Sequence, residues 1–144
     1  MIIEADENYV DIIASLAVLL WDDNSVEDLI YEFSEIVLKE DARVFIKYEG
    51  DIPIGFAQCQ LRHDYVEGTE TSPVGYLEGI FVKEGYKHKG YAKELLLCCE
   101  NWARIKGCKE FASDCELDNA ISLKFHKAVS FTEANRIICF TKKL

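Results

Sequence analysis

A carboxylate followed closely by a glycine-containing turn is the arrangement in this sequence with the clearest chemical potential. Glu78 lies within the run Val74 to Val82, whose β-branched and aromatic residues predict a strand. The turn Lys87-His-Lys-Gly90-Tyr-Ala92 follows, and an amphipathic helix begins there. Backbone N–H groups at such a helix start, together with the positive end of the helix dipole, hold a phosphate. The spacing therefore favours a phosphorylated cofactor bound beside a proton acceptor.

A mixed α/β layer is needed to position these residues, and the hydrophobic periodicity predicts one. We expect strands over residues 1–5, 44–48, 52–61, 74–82, 109–114 and 136–143, and helices over residues 7–20, from 25, over 90–106 and over 119–129. Asp6 is placed to cap the first helix, and Ser25 with Asp28 resembles a capping box for the second. The length and the 49% hydrophobic content predict one compact domain over residues 1–144.

Composition excludes several classes of function. The net charge of −10 disfavours nucleic acid as a partner and favours a cationic substrate. No apolar run is long enough for a membrane span, and the N-terminus lacks a signal peptide, so we expect a cytoplasmic protein. The six cysteines form no Cys-x-x-Cys pair and the histidines form no cluster, so we expect reduced thiols in and near the core and no metal.

The turn also resembles a known motif. The spacing Lys87-x-x-Gly90-x-Ala92 is similar to the Gln/Arg-x-x-Gly-x-Gly/Ala loop of the GNAT (GCN5-related) N-acetyltransferases, which binds the pyrophosphate of acetyl-CoA. Lys87 keeps the positive charge of the family's arginine but loses its bidentate geometry. The resemblance implies the GNAT acyl-CoA N-acyltransferase fold, of α/β class, with a central, mostly antiparallel sheet flanked by about four helices. It implies acetyl-CoA as co-substrate.

The resemblance also implies which groups hold the cofactor. The backbone of Ile80, Phe81 and Val82 is expected to hydrogen-bond the pantetheine arm, with the N–H of Ile80 as the oxyanion donor. The pyrophosphate is expected on the N–H groups of His88, Lys89, Gly90, Tyr91, Ala92 and Lys93. Asn119 aligns with the asparagine of the family that contacts CoA. The family's tyrosine, proposed to protonate the leaving thiolate, falls on His126, so the proton comes from His126 or, as we favour, from water.

Two carboxylates lie on the strands that flank the cofactor in a GNAT-like topology. Glu78 precedes the phosphate loop, and Asp114 ends the next strand. An ammonium must lose a proton before it attacks a thioester, so a carboxylate is needed as base or as anchor for the amine. We expect Glu78 to be the base, and Asp114 to be the substrate anchor or the alternative base.

Four longer segments resemble one subgroup, the aminoglycoside 6'-N-acetyltransferases. They are Arg62 to Val66, Leu77 to Val82, Gly107 to Asp114 and the segment that begins at Asn119. The resemblance implies direct acetyl transfer to the 6'-amine of an aminoglycoside, with antibiotic resistance as the result, and a homodimer. It implies a substrate cleft lined by Trp21, Tyr65, Glu78 and Asp114, with Asn135 where the subgroup can place an acid.

Two alternatives stay open at this level. The same fold acetylates polyamines, peptides and protein amines, and an acidic cleft suits all of them. A module that binds acetyl-CoA without turnover is the other alternative, favoured by the histidine at position 126. The retention of both Glu78 and Asp114 favours an enzyme.

Overall fold

A computed structural model describes all residues, 1–144. One five-stranded sheet has the spatial order β1-β2-β3-β4-β5, and every neighbouring pair is antiparallel except β4 and β5, which are parallel. The strands are β1 (Ile2–Glu4), β2 (Ala42–Glu49), β3 (Ile52–Arg62), β4 (Val74–Val82) and β5 (Phe111–Ala112), and the helices are α1 (Val10–Leu20), α2 (Val26–Ile36), α3 (Tyr91–Ile105) and α4 (Ala120–Ala128). This is the expected mostly antiparallel sheet with four helices.

Local capping explains where the first two helices begin. The side chain of Ser25 accepts a hydrogen bond from the N–H of Asp28 at 3.1 Å, as the capping pattern predicted. Asp6 likewise accepts from the N–H of Asn8 at 2.9 Å, but the chain forms a 3-10 turn over Glu7–Tyr9 before α1 starts. The longest helix, α3, has 15 residues, and none of the helices is both long and apolar enough to cross a bilayer.

Both faces of the sheet are covered, and each face has its own core. On one face α1 and α2 pack on β2 and β3, where Ile13, Phe33 and Phe56 are fully buried. On the other face α3 packs on β3 and β4 around Leu95 and Leu96. Burial from both sides holds the long central strands rigid, so residues attached to β3 and β4 have fixed positions.

The end of the chain departs from the sequence-based expectation. The predicted strand at 136–143 is wrong, because no residue from 132 to 144 makes a backbone–backbone hydrogen bond. The predicted strand at 109–114 shortens to Phe111–Ala112. The alternation of Ile138 and Phe140 is a strand pattern, yet both side chains are exposed, at 80% and 88%. Within one chain β5 is too short an edge to pair with this segment.

Candidate active site

Glu78 lies at a β-bulge in the middle of β4. In the ladder between β3 and β4, Leu77 lies opposite Cys59 and Gly79 lies opposite Gln58, so Glu78 has no residue opposite it on β3. Such a bulge adds one residue to a strand and redirects its side chain. Leu77 belongs to the core under α3, whereas a Cβ on Gly79 would meet Trp21 on the opposite face. The bulge thus lets an acidic side chain emerge from an otherwise apolar strand.

Glu78 is held by an arginine from the neighbouring strand. Oε1 of Glu78 accepts hydrogen bonds from Nε of Arg62 at 3.1 Å and from Nη2 at 2.9 Å, and Oε2 accepts from Nη2 at 3.0 Å. The Glu78 side chain is 20% exposed and that of Arg62 is 38% exposed. A paired, partly buried carboxylate has a fixed orientation, and its negative charge is offset by the guanidinium.

Asp114 is held in a similar way by a tyrosine. The hydroxyl of Tyr76 donates a short hydrogen bond to Oδ2 of Asp114. Burial, and then the bond to Asp114, raise the pKa of Tyr76 well above its usual value, so the hydroxyl stays protonated. The guanidinium carbon of Arg62 lies 3.4 Å from the centre of the Tyr76 ring. Glu78, Arg62, Tyr76 and Asp114 therefore form one connected cluster, and the structure brings the two predicted carboxylates into it.

The edge of β4 is open beside this cluster. β5 pairs with β4 only at Gly75 and Tyr76, so the strands separate beyond that point. The remaining part of β4, which includes Ile80, Phe81 and Val82, has no neighbouring strand on that side. An extended amide-containing arm can add to such an edge by backbone hydrogen bonds.

The turn before α3 presents free backbone donors. Gly90 is the N-cap with φ of 83°, a left-handed conformation that favours glycine, and His88 has φ of 63°. The first N–H of the helix to find a backbone acceptor is that of Glu94, bound to the carbonyl of Gly90 at 3.1 Å. The N–H groups of residues 88–93 have no acceptor in the protein. This set of donors at a helix start fits the pyrophosphate of acetyl-CoA.

The lysines of the turn already have partners. Lys87 pairs with Glu84 at 2.7 Å, and Nζ of Lys89 lies 5.4 Å from the centre of the Tyr86 ring. Because both side chains are engaged locally, the free hydrogen-bond donors of the turn are chiefly those of its backbone.

The two predicted aromatic residues differ in setting. Trp21 is half-buried, with ring centres 5.9 Å from Phe56 and 6.4 Å from Phe33. A Cβ on Gly79 would lie 2.5 Å from Cζ2 of Trp21, so the indole lies directly on β4 next to the bulge. Tyr65 is 77% exposed and lines, with Arg62, a depression of about 430 Å³. Trp21 anchors the loop after α1 and borders the site, whereas Tyr65 is free to contact a ligand.

The two asparagines make contacts of their own. Oδ1 of Asn119 accepts from the N–H of Ser122 at 3.1 Å and so caps α4. Nδ2 of Asn135 donates to Glu67 at 2.8 Å, in the loop that follows β3. Neither side chain has a hydrogen bond to Glu78 or Asp114, so the structure does not join Asn135 to the carboxylate cluster.

His126 has both ring nitrogens engaged. Nδ1 lies 2.7 Å from the carbonyl oxygen of Ser122, and a carbonyl only accepts, so we assign the proton to Nδ1. Nε2 lies 2.8 Å from Oγ of Ser113 and in this tautomer accepts from that hydroxyl. Both ring nitrogens of His126 are thus already bonded to groups of the protein.

Sequence reasoning does not find Arg62 and Tyr76. The local pattern places Arg62 at the start of a polar loop, but it is the last residue of β3 and pairs with Val74. Extending the β3–β4 hairpin by one pair would have placed Arg62 two residues from Tyr76 along the facing strand, within reach of its ring.

The cysteines take no part in the cluster. All six are free thiols; Cys59, Cys99 and Cys108 are buried and Cys115 is exposed. A hydrogen bond with Cys59 and burial raise the pKa of Cys99, and burial raises the pKa of Cys108. Thiols whose pKa is raised are poor nucleophiles.

Comparison with known proteins agrees with this geometry. The model of the Acetyltransferase (GNAT) family matches residues 11–131. An aminoglycoside N(6')-acetyltransferase type 1 from Salmonella typhimurium is 39% identical over 124 residues, which cover 86% of this chain and 86% of the relative. A protein of the same name from Serratia marcescens is 36% identical over 145 residues, covering 100% of this chain and 99% of the relative.

A solved structure is similar over the whole molecule. The structure of AAC(6')-Iy in complex with the bisubstrate analogue CoA-S-monomethyl-acetylneamine superposes with a TM-score of 0.96 at 35% identity, covering 100% of this chain and 98% of the other. The fold, with its sheet that opens between β4 and β5, is thus that of an enzyme which binds CoA and an aminoglycoside in one linked ligand. By both comparisons this chain belongs to the GNAT family of acetyltransferases.

Proposed function

We propose that this acetyltransferase moves an acetyl group from acetyl-CoA directly to the 6'-amine of an aminoglycoside, and that it thereby confers antibiotic resistance. The observation that carries the proposal is the 36% identity, along the full length, to an aminoglycoside N(6')-acetyltransferase. The paired carboxylates Glu78 and Asp114 beside the open edge of β4 support it, because a polycationic amine needs acidic partners.

The carboxylates are proposed to bind and deprotonate the amine, and the edge of β4 to stabilise the oxyanion. Asp114 holds the amine through Oδ1, since its Oδ2 accepts from Tyr76, and Glu78 takes the proton that the amine loses, directly or through water. The N–H of Ile80 stabilises the developing oxyanion. Acetyl-CoA supplies a thioester, whose C–S bond breaks as the amide C–N bond forms.

Water is the proposed proton source for the thiolate that leaves. Both ring nitrogens of His126 are already engaged, Nδ1 with the carbonyl of Ser122 and Nε2 with the hydroxyl of Ser113. A thiolate is a fair leaving group near neutral pH and needs no dedicated acid. The histidine then has a structural role, because it joins α4 to the segment that carries Asp114.

Aromatic and acidic side chains are proposed to bind the remaining rings of the acceptor. Tyr65, exposed above the depression beside Arg62, offers a flat face to a sugar ring, and Trp21 lies against β4 at Gly79, the residue after Glu78. Asn135 is proposed as a peripheral contact, since it lies on Glu67 in the loop that contains Tyr65. The net charge of −10 assists the approach of a cation.

A homodimer is proposed because the C-terminal segment has no place in its own sheet. Residues 132–144 form no backbone–backbone hydrogen bonds, and Ile137, Ile138 and Phe140 are exposed. An extended apolar segment of this kind is stabilised by adding to the sheet of a second copy. Free thiols and a need for acetyl-CoA suit the cytoplasm, where we propose that the protein acts.

The oligomeric state is tested by light scattering coupled to size exclusion. The full chain is expected at twice the monomer mass of 16.5 kDa, and a variant truncated after Asn135 is expected as a monomer. A monomeric full chain would contradict the proposal. A dimeric truncated variant would keep the dimer but show that the C-terminal segment does not make it.

The reaction is tested by the release of CoA thiol from acetyl-CoA. Kanamycin or tobramycin is compared with an analogue that carries a hydroxyl in place of the 6'-amine, and spermidine and a lysine peptide serve as further acceptors. We expect turnover only with the 6'-amine. Turnover with spermidine or peptide alone would keep the acetyltransferase and overturn the proposed acceptor, and CoA binding without any turnover would indicate a binding module.

Direct transfer predicts that no cysteine is needed. Cys115 is exposed and follows Asp114 in sequence, so it is the thiol best placed to form an acyl-enzyme. We expect Cys115→Ala to keep kcat within about twofold of the wild type, because direct transfer does not use the thiol and substitutions of exposed side chains are usually mild. Loss of nearly all turnover in a folded Cys115→Ala protein would overturn direct transfer.

A further inference from the structure

Arg62 has no role in the mechanism described so far, although it contacts more of the cluster than either carboxylate does. Its guanidinium donates three hydrogen bonds to Glu78 and lies 3.4 Å from the centre of the Tyr76 ring. A fixed cation beside the base is unexpected in a cleft for polycations, because it repels the substrate.

The charge balance of the cluster gives the reason for a cation at this place. With Arg62 present, the two carboxylates of Glu78 and Asp114 carry one net negative charge between them. Two uncompensated carboxylates would stabilise an ammonium strongly, since an opposite charge at short range favours the charged form. An ammonium held in this way would be a poor nucleophile, because its nitrogen lone pair remains bound to the proton.

The hydrogen bonds also orient Glu78. Oε1 accepts two donors from Arg62, whereas Oε2 accepts only one. Because a carboxylate oxygen has two lone pairs, Oε2 keeps one lone pair free to accept a proton. The stack on Tyr76 prevents the guanidinium from turning away, and Tyr76 is itself fixed by its bond to Asp114.

We infer that Arg62 is a positioning residue of the transfer reaction. It fixes the Glu78 carboxylate with Oε2 free, and it offsets the charge of Glu78 so that the bound ammonium releases its proton. The inference rests on the proposed function, in that it assumes an amine acceptor bound between Glu78 and Asp114.

The test compares variants that separate charge from packing. Arg62→Met keeps most of the length and apolar contact of the side chain but removes the charge and the donors, and Arg62→Lys keeps the charge without the bidentate geometry. Arg43→Met is the matched control, since Arg43 also lies on a strand and pairs with a glutamate, Glu4, at 2.5 Å, but on β2 and β1 at the other side of the sheet. Both kcat and the KM for kanamycin are measured, together with thermal unfolding.

We expect Arg62→Met to lower kcat about tenfold while KM for kanamycin falls, because the unpaired carboxylates hold the ammonium more tightly and release its proton less readily. Arg62→Lys should recover part of kcat, and Arg43→Met should behave as the wild type. In a Glu78→Gln background, Arg62→Met should cost no further kcat, since Arg62 acts through Glu78.

Three results would overturn the role of Arg62. The first is a kcat of Arg62→Met within twofold of the wild type. The second is a fall in kcat that is accompanied by a rise in KM and is not relieved in Arg62→Lys, and the third is full additivity of the effects of Arg62→Met and Glu78→Gln on kcat. Wild-type protein that acetylates only spermidine or a lysine peptide would overturn the proposed acceptor alone, and the same variants are then compared with that amine. Wild-type protein that acetylates no amine would overturn both.

Discussion

The two sides of β4 differ in whether their polar groups are already hydrogen-bonded. On the side of α3, the turn presents the N–H groups of residues 88–93 without acceptors, and only Gly90 and His88 adopt unusual backbone angles. On the other side, Glu78 and Asp114 are already hydrogen-bonded to Arg62 and Tyr76. The proposed cofactor side is thus a set of free backbone donors, and the proposed acceptor side is a set of side chains that are already paired without a ligand.

This difference follows from the ligands that each side must accommodate. A pyrophosphate is a permanent anion, so unpaired donors at a helix start are sufficient to bind it. An amine must be bound as a cation and then lose its proton, so the acidic groups need a controlled charge and a fixed orientation. The cofactor side should therefore be sensitive to backbone changes, and the acceptor side to single side-chain atoms.

The largest effect is expected from neutralising a carboxylate on the acceptor side. Glu78→Gln removes the proposed base without changing its size, and general-base catalysis contributes about 10²–10⁴-fold, so kcat should fall about 100-fold or more. Asp114→Asn should also lower kcat, and the larger loss identifies the base. Steady-state assays with acetyl-CoA in excess measure both.

Glu49→Gln is the control for these variants, since Glu49 is an exposed residue at the β2–β3 hairpin. It should leave kcat unchanged. A kcat near the wild-type value in both Glu78→Gln and Asp114→Asn would remove the carboxylates from the mechanism and leave the cofactor side as the only assigned site.

A smaller effect is expected from the backbone of the cofactor side. Gly90→Ala adds a methyl group where φ is 83°, and a left-handed conformation costs a non-glycine residue about 1–2 kcal/mol. The strain shifts the turn away from its anion-binding form, so the KM for acetyl-CoA should rise about tenfold while the KM for the aminoglycoside stays constant.

Gly85→Ala provides a matched control in the preceding turn. A Cβ at Gly85 and one at Gly90 both meet nothing within 4 Å, but only Gly90 has a positive φ. Equal changes in the KM for acetyl-CoA in the two variants would show that the left-handed conformation is not what holds the cofactor.

Removing the donor that holds Asp114 tests the acceptor side at the level of one atom. Tyr76→Phe keeps the ring under Arg62 and removes the hydroxyl, so Asp114 loses its only side-chain partner. A hydrogen bond to a charged group contributes about 1.5–3 kcal/mol, part of which solvent replaces, so we expect kcat to fall about fivefold. Tyr48→Phe, on β2 and away from the cluster, is the control. An equal fall in kcat in that variant would contradict a role for the hydrogen bond of Tyr76.

The sequence predicted the strand, the turn and the helix around Gly90 well because these elements are local. The strand at 74–82, the glycine at position 90 and the helix that follows are contiguous, so their geometry depends on residues that are neighbours in the chain. The capping residue Ser25 was also found for this reason.

The acceptor side was less predictable because it is assembled from three separate segments. Glu78 needs the bulge opposite Gln58 and Cys59, and its partner Arg62 comes from β3, while Asp114 follows β5. A one-residue bulge leaves no clear mark in a single sequence. The C-terminal strand failed for the opposite reason: its local pattern was sound, but residues 132–144 pair with no strand of this sheet.

The smallest effect concerns the titration of Tyr76 and tests whether its hydroxyl is shielded from solvent in the folded protein. The pKa of Tyr76 is raised in the folded protein, mainly by burial and then by Asp114, whereas the unfolded chain titrates near about pH 10. Above that pH the unfolded state releases the proton first, so the free energy of unfolding should decline as pH rises toward the folded pKa. Tyr76→Phe lacks this loss, and the raised pKa values of Tyr48 and Lys47 are common to both proteins and cancel in the difference. Denaturant unfolding from about pH 8 to about pH 12 should therefore show a steeper decline for the wild type. Parallel curves would mean that the hydroxyl is solvated in the folded state, and the acceptor side would then have one paired carboxylate instead of two.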